Sequence, residues 1–150
     1  MSRRQRRRPD RRLAEAFIGN ARSFHSMAQT ENDPTGGSRA YSWAIAIELA
    51  LKAYLVQRGI TDDWNRIHLQ HDLNKALRCA RMAGLRAVPD GLRELSGALS
   101  PFYASGALSW GQGRPVIPMA LEVSDQIVAE LLVAVEAAIG VGEGAMDVCE

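Results

Sequence analysis

The chain has 150 residues, of which 47% are hydrophobic, so it can bury one core but is too short for two comfortable ones. Its formal charge is +1, yet residues 1–12 hold seven arginines and one aspartate, a charge of +6, which leaves −5 for the remainder. Two cysteines, Cys79 and Cys149, exclude a disulfide framework, and no apolar run reaches the roughly 18 residues of a membrane helix, so we expect a soluble, cytoplasmic protein without membrane contact.

The arginine-rich segment 1–12 is predicted to be a basic disordered tail, because short terminal arginine runs are commonly solvated. The same charge would also suit phosphate backbones, through the release of counterions. After this segment, apolar residues recur at spacings of three and four, which predicts an amphipathic first helix. These residues are Leu13, Phe17, Ala21, Phe24 and Ala28.

A second helix is predicted from Arg39 to Arg58, with Ser38 as its N-cap and Gly59 directly after its end. It is apolar almost all round, which indicates the central and most enclosed helix of the protein. Glu48 and Lys52 stand four residues apart on this helix and can pair with each other. The pair is interpreted either as a structural ion pair or as the floor of a polar site in which Lys52 meets a phosphate.

The segment 60–70 is predicted to be a loop, and Asp72 is predicted to cap a third helix that begins at Leu73. Gly84 follows the end of this helix. Its inner face is apolar and its outer face is basic. The inner residues are Leu73, Ala76, Leu77 and Ala80, and the outer ones are Lys75, Arg78 and Arg81.

A short fourth helix is predicted after Pro89-Asp90, and Pro101 is expected to stop it. Glycines and prolines then predict a long irregular connection from Ser100 to Pro118. The last helix is predicted from Met119 to Ile139, and residues 140–150 are predicted to be a flexible acidic tail. The apolar stripes of these two helices are Leu92, Leu95 and Leu99, and then Leu121, Val128, Leu131, Leu132, Val135 and Ile139. The fold class is therefore all-α, an up-and-down bundle of four long helices and a short one over residues 13–139.

The stretch from Ala44 to Leu77 has a distinctive order of residues. Its apolar helix carries Glu48, Lys52-Ala53 and Leu55, ends at Arg58-Gly59, and is followed after a loop by His71-Asp72-Leu73. This order resembles the HEPN superfamily, in which Glu-x-x-x-Lys-Ala-x-Leu and Arg-Gly precede a His-Asp-Leu that opens the next helix. Tyr103 and Gly113-Arg114-Pro115 also look like the Tyr and Gly-Arg-Tyr-Pro stretch of that family, although the second Tyr is missing. The resemblance implies a HEPN-like bundle over residues 13–139.

The resemblance also implies a function and partners. Minimal HEPN proteins often pair with a small nucleotidyltransferase in toxin–antitoxin or defence modules, and they usually dimerise through bundle faces. We therefore expect a nucleotide- or RNA-associated accessory domain with such a partner. The residues expected to contact the nucleotide or RNA are Lys52, Glu48, Lys75, Arg78 and Arg114. A homodimer is expected as well, because apolar residues such as Trp43 and Phe102-Tyr103 have no obvious cover within one chain.

Two other functions stay open, a metal-independent endoribonuclease and a non-catalytic dimeric scaffold. HEPN ribonucleases carry an Arg and, four to six residues later, a His near the start of the final helix, but Ser100 to Glu136 contains Arg114 and no histidine. The spacing occurs instead from Arg66 to His71, and about one such match is expected by chance in a chain with this many arginines and histidines. As a catalytic pair, His71 would be the base and Arg66 would stabilise the charged phosphorane.

No cofactor or metal is expected from the remaining patterns. His68-x-x-His71 supplies two ligands, whereas a zinc site needs three or four. The glycine-rich stretch Gly111 to Pro115 lacks the strand and the Lys-Ser/Thr ending of a phosphate-binding loop.

Overall fold

The computed structural model describes residues 8–32, 36–107 and 115–140, and within these ranges it contains six α-helices and no β-strand. The all-α class is thus confirmed for the described chain, with one helix more than the sequence predicted. The helices are α1 Arg11–Gln29, α2 Gly37–Gln57, α3 Asp62–His68, α4 Leu73–Met82, α5 Leu92–Ala104 and α6 Leu121–Ile139. Most of both predicted tails, together with Arg114, Trp110 and Cys149, lies outside the described residues.

Helix α2 is the centre of the fold, as its apolar circumference predicted. It packs against each of the other five helices, most extensively against α1. Its apolar residues Ile47, Leu51 and Leu55 are fully buried. Glu48 on the same helix is buried as well, a position that is costly for a charged side chain unless it finds a partner.

The first helix begins earlier than its apolar stripe. The predicted tail boundary at residue 12 is wrong, because Asp10 caps α1 by accepting a hydrogen bond from the Leu13 amide at 3.1 Å. The Asp10 amide also donates to the Val56 carbonyl at 3.0 Å, which ties the start of α1 to the end of α2. Arg11 and Arg12 are therefore part of the bundle.

Both ends of α2 depend on glycine. Ser38 was predicted to be the N-cap, but Gly36 takes that position with a left-handed φ of +75° and the helix begins at Gly37. A glycine adopts this conformation without strain, so the chain turns into the helix two residues before Ser38. At the other end, the helix stops at Gln57, one residue before the predicted Arg58, which is its C-cap, and Gly59 follows with a left-handed φ of +88°.

The segment predicted as a loop over residues 60–70 contains the seven-residue helix α3. Thr61 starts it by accepting a hydrogen bond from the Trp64 amide at 3.1 Å. Asp62 and Asp63 occupy its first turn and His68 its last, a charge order that favours a helix. The loop prediction was wrong because it depended on apolar periodicity. An N-cap and favourable charges at both ends suffice for a helix this short.

Helices α4 and α5 lie next to each other, and the start of α4 meets the end of α5. The Asp72 cap is confirmed, since its carboxylate accepts from the Lys75 amide at 3.0 Å. The predicted stop at Pro101 is wrong, because α5 continues to Ala104. The hydrogen bonding of the helix resumes after the proline, because the Pro101 carbonyl accepts from the Ser105 amide at 3.3 Å. The buried Tyr103 lies one turn beyond the buried Leu99, so packing holds this extension in place.

Helix α6 closes the bundle against α1 and α2. It begins at Leu121, two residues later than predicted, and ends before Gly140, which has a left-handed φ of +76°. The predicted inner stripe is buried from Val128 to Ile139, whereas Leu121 is exposed at the start of the helix. No helix within the described ranges is long and apolar enough to cross a bilayer.

Candidate functional site

Glu48 is the most enclosed charged side chain described, with 5% of its surface exposed. Three side chains meet its carboxylate. The Lys52 ammonium lies 3.4 Å from Oε2, His71 Nδ1 lies 2.8 Å from the same oxygen, and the Tyr103 hydroxyl lies 2.5 Å from Oε1. We call Glu48, Lys52, His71 and Tyr103 the Glu48 cluster. The predicted Glu48–Lys52 pair is present, and His71 bonds to the same carboxylate.

His71 reaches Glu48 through an unusual turn. Gln70 and His71 have φ values of +46° and +67°, and consecutive left-handed residues other than glycine are strained. The turn is held from behind, because Ser100 Oγ accepts from the Leu73 amide at 3.0 Å and donates to Asp72 Oδ1 at 3.5 Å. Such strain of about 1–2 kcal/mol per residue persists only where surrounding contacts compensate for it.

Tyr103 enters the cluster because α5 continues past Pro101. Burial raises the pKa of Tyr103 far above its ordinary value, and the negative charge of Glu48 raises it further. The hydroxyl therefore stays protonated and donates to the carboxylate. The Tyr103 ring also packs edge-on against the His71 ring, with centroids 5.2 Å apart, and lies 6.1 Å from the Tyr41 ring. The spacing of Leu95, Leu99 and Tyr103 is the signal by which this role was detectable in the sequence.

The cluster leaves one group available for chemistry. The charges of Glu48 and Lys52 balance each other, and the Lys52 side chain is only 12% exposed. The His71 side chain, by contrast, is 59% exposed. Because Nδ1 of a neutral imidazole donates to the carboxylate, Nε2 becomes the acceptor. A carboxylate-oriented histidine of this kind can accept a hydrogen bond or a proton from a ligand.

Arg66, the predicted catalytic partner of His71, lies on α3 and pairs with Asp63. Its side chain is 67% exposed. Among the described residues, no hydrogen bond or ion pair joins Arg66 to the Glu48 cluster. The structure therefore pairs Arg66 with Asp63 rather than with His71. To supply the cation for catalysis by His71, Arg66 would have to leave Asp63.

The predicted binding residues Lys75 and Arg78 follow His71 along α4. Lys75 is half-buried beside the start of the helix, and Arg78 is exposed. Arg78 lines a cavity between α4 and α5, together with two further arginines, rather than the Glu48 cluster. Arg114 lies outside the described residues.

A second polar cluster, which was not predicted from the sequence, joins α1, α2 and α6. Asp125 accepts hydrogen bonds from the Trp43 indole N–H at 3.4 Å and from the Gln29 amide at 3.1 Å. His25 Nε2 lies 3.2 Å from the same carboxylate, without the alignment of a hydrogen bond, and the ring is buried. The sequence did carry a signal, because His25 continues the buried stripe of Ala14, Ile18 and Ala21 on α1. These contacts join three helices, so we read them as structural.

The described residues hold no group of three or more side chains arranged to bind a metal ion. His68 stacks against Trp64, with ring centroids 4.6 Å apart, whereas His71 bonds to Glu48. Cys79 is a buried free thiol, and burial raises its pKa, which makes the reactive thiolate less available.

Comparisons with known proteins assign no relatives to this arrangement. No protein-family model, no curated protein and no solved structure matched the chain. The residues of the chain and the geometry of the Glu48 cluster therefore carry the functional argument.

Proposed function

We propose that this chain is a HEPN-like, nucleotide- or RNA-associated accessory domain of a toxin–antitoxin or defence module with a nucleotidyltransferase partner. One observation supports the proposal above the others. Glu48, Lys52 and His71, three residues on which the family resemblance depends, meet at a single buried carboxylate. The contact explains why these residue types stand together, and it presents the His71 ring at the surface.

The roles of the residues differ within this proposal. Lys52 balances the charge of Glu48, and Glu48 orients His71, so both are positioning residues. His71 offers Nε2 to a hydroxyl or amine of the ligand, as an acceptor when neutral. Lys75 and Arg78, further along α4, supply the positive charge that nucleotide phosphates require.

Binding of labelled single-stranded RNA and of ATP to the full chain tests this proposal. His71→Ala is expected to weaken binding about fivefold, the equivalent of one hydrogen bond of roughly 1 kcal/mol. His68→Ala is the matched control, because His68 is also exposed but stacks against Trp64. Equal binding by the two variants would contradict the proposed role of His71.

A metal-independent endoribonuclease is the second candidate, favoured by the contact of 2.8 Å between His71 Nδ1 and Glu48. That contact orients the imidazole so that His71 can act as a general base and accept a proton. The cation would have to be Arg66, whose present partner is Asp63, or another basic side chain. The separation of Arg66 from the cluster favours the binding domain over the nuclease.

We further propose that the chain dimerises through a bundle face, as the family resemblance implies. The residues first cited for this interface need a correction, because Trp43 and Tyr103 are buried within one chain and Phe102 is half-buried. Val123 and Val133 on the outer side of α6 are about half exposed, at 49% and 60%. This side of α6 is the better candidate for a self-association surface.

A further inference from the structure

A cavity of about 580 Å³ lies between α4 and α5, away from the carboxylate of the Glu48 cluster. The two helices run in opposite directions, since Leu73 at the start of α4 meets Ser100 near the end of α5. Three arginines line the cavity, Arg78 and Arg81 from α4 and Arg93 from α5. The other lining residues are Asn74, Leu77 and Gly97.

The three arginines differ from those surface arginines that are held in ion pairs. Arg11, Arg22 and Arg66 each pair with a carboxylate, those of Glu15, Glu136 and Asp63. Among the described residues, no ion pair or hydrogen bond engages the side chains of the three cavity arginines, and none of the described residues lining the cavity is acidic. Three like charges on one cavity repel each other, and an anion bound between them would relieve that repulsion.

We propose that this cavity binds adjacent phosphate groups, either the di- or triphosphate of a nucleotide or consecutive phosphates of an RNA strand. Guanidinium groups bind phosphate oxygens in pairs of parallel hydrogen bonds, and three of them suit more than one phosphate. The Asn74 amide supplies a further donor beside them. The cavity volume falls within the range of small-ligand sites, about 300–1,000 Å³.

Gly97 keeps the α5 side of this cavity open. A Cβ atom added there would meet only the Asn74 side chain, at 3.9 Å, so the space above the helix backbone is unoccupied. This phosphate site does not rest on the proposed role of the Glu48 cluster. It would hold even if His71 had no ligand.

Calorimetric titration of the full chain with inorganic tripolyphosphate tests whether the cavity binds phosphates. It does not depend on whether they belong to a nucleotide or to RNA. The double variant Arg81→Gln/Arg93→Gln is expected to weaken binding about tenfold or more, because each arginine makes charged hydrogen bonds to the anion. The double variant Arg22→Gln/Arg86→Gln is the matched control, since it removes the same charge from exposed positions outside the cavity. It is expected to bind within about twofold of the natural chain, because charges at exposed positions act weakly.

Two further measurements sharpen the test. Arg81→Lys/Arg93→Lys keeps the charge without the paired donors, and partial recovery of binding is expected. Circular dichroism verifies that each variant folds, which is expected because both arginines are exposed. Absence of tripolyphosphate binding by the natural chain, or equal binding by the cavity and control variants, would overturn the proposal.

Competition experiments identify the source of the phosphates. A free nucleotide site predicts that ATP displaces tripolyphosphate and AMP does so weakly. A site for an RNA strand predicts that single-stranded RNA displaces tripolyphosphate. The slope of log K for RNA against log salt concentration should then be shallower by about 1.4 in Arg81→Gln/Arg93→Gln, which lacks two phosphate contacts. ATP or RNA binding that is unchanged in His71→Ala but weakened in Arg81→Gln/Arg93→Gln would reject the proposed role of His71 and leave the phosphate site standing. Failure of both ligands to displace tripolyphosphate would overturn the assignment to a nucleotide or RNA.

Discussion

The Tyr103 hydroxyl donates a hydrogen bond of 2.5 Å to Glu48, which ties the last turn of α5 to the middle of α2. The contact exists only because α5 continues through Pro101. It places a third partner on a carboxylate that Lys52 and His71 already share. The Glu48 cluster is thus both a junction of the fold and the support of the exposed His71 ring.

Removing either member of the Glu48–Lys52 pair should have unequal effects. Glu48→Gln leaves the nearly buried Lys52 ammonium without its counterion, so a loss of roughly 1–3 kcal/mol in the free energy of unfolding is expected. Lys52→Met keeps an unbranched apolar chain, and Glu48 retains its hydrogen bonds to His71 and Tyr103, so a smaller change is expected. Urea denaturation measures the free energy of unfolding of both variants. Equal and negligible changes would show that the Glu48–Lys52 pair is exposed to solvent.

Alkaline pH should destabilise the protein through Tyr103. Its raised pKa means that the folded state keeps the phenol proton, whereas the unfolded chain releases it near pH 10. The stabilising contribution is therefore complete below about pH 10 and falls as the pH rises further. Tyr103→Phe should remove this dependence, at a cost near 1 kcal/mol for the lost hydrogen bond. Tyr41→Phe is the control. The measurement is the free energy of unfolding at several alkaline pH values. If its slope against pH is the same in Tyr103→Phe and Tyr41→Phe, the assignment to Tyr103 is refuted.

Truncation at the N-terminus should show where the folded unit begins. Deleting residues 2–7 should leave unfolding unchanged, whereas deleting residues 2–12 should cost about 1 kcal/mol or more, because it removes the Asp10 cap of α1. Both deletions should flatten the salt dependence of RNA binding, since both remove arginines. Unchanged RNA affinity would mean that the basic segment does not contact the RNA.

Purified protein should not cut single-stranded RNA in the presence of a chelator, because Arg66 pairs with Asp63 rather than joining His71. Gel analysis of labelled RNA checks this. The opposite result would be cutting that disappears in both Arg66→Ala and His71→Ala while circular dichroism stays unchanged. That result would promote the endoribonuclease to the leading function.

Light scattering should report a homodimer at micromolar concentration. If the outer side of α6 forms the interface, Val123→Lys/Val133→Lys should give monomers, because it places charges into an apolar contact. Met82→Lys is the control, since Met82 is more exposed and lies on α4. A monomer that persists at high concentration in the natural chain would remove the dimer proposal.

The amino-acid sequence by itself determined the features that depend on neighbouring residues. The periodic stripes predicted α1, α2, α4 and α6, and Asp72 and Gly59 marked helix ends, because caps act within one turn. The Glu48–Lys52 pair was predictable for the same reason, since residues four apart share a helix face. Helix α3 was missed because its seven residues are mostly polar and too few to show an apolar period.

Only the tertiary structure decided which distant side chains meet. Tyr103 reaches Glu48 across 55 positions of the chain, and Asp125 reaches Trp43 across 82. From local sequence rules, Tyr103 is only a member of an apolar stripe and Asp125 is only one of the acidic residues of α6. Arg78, Arg81 and Arg93 likewise share a cavity because α4 and α5 pack side by side, a relationship set by burial of the core rather than by the arginines themselves.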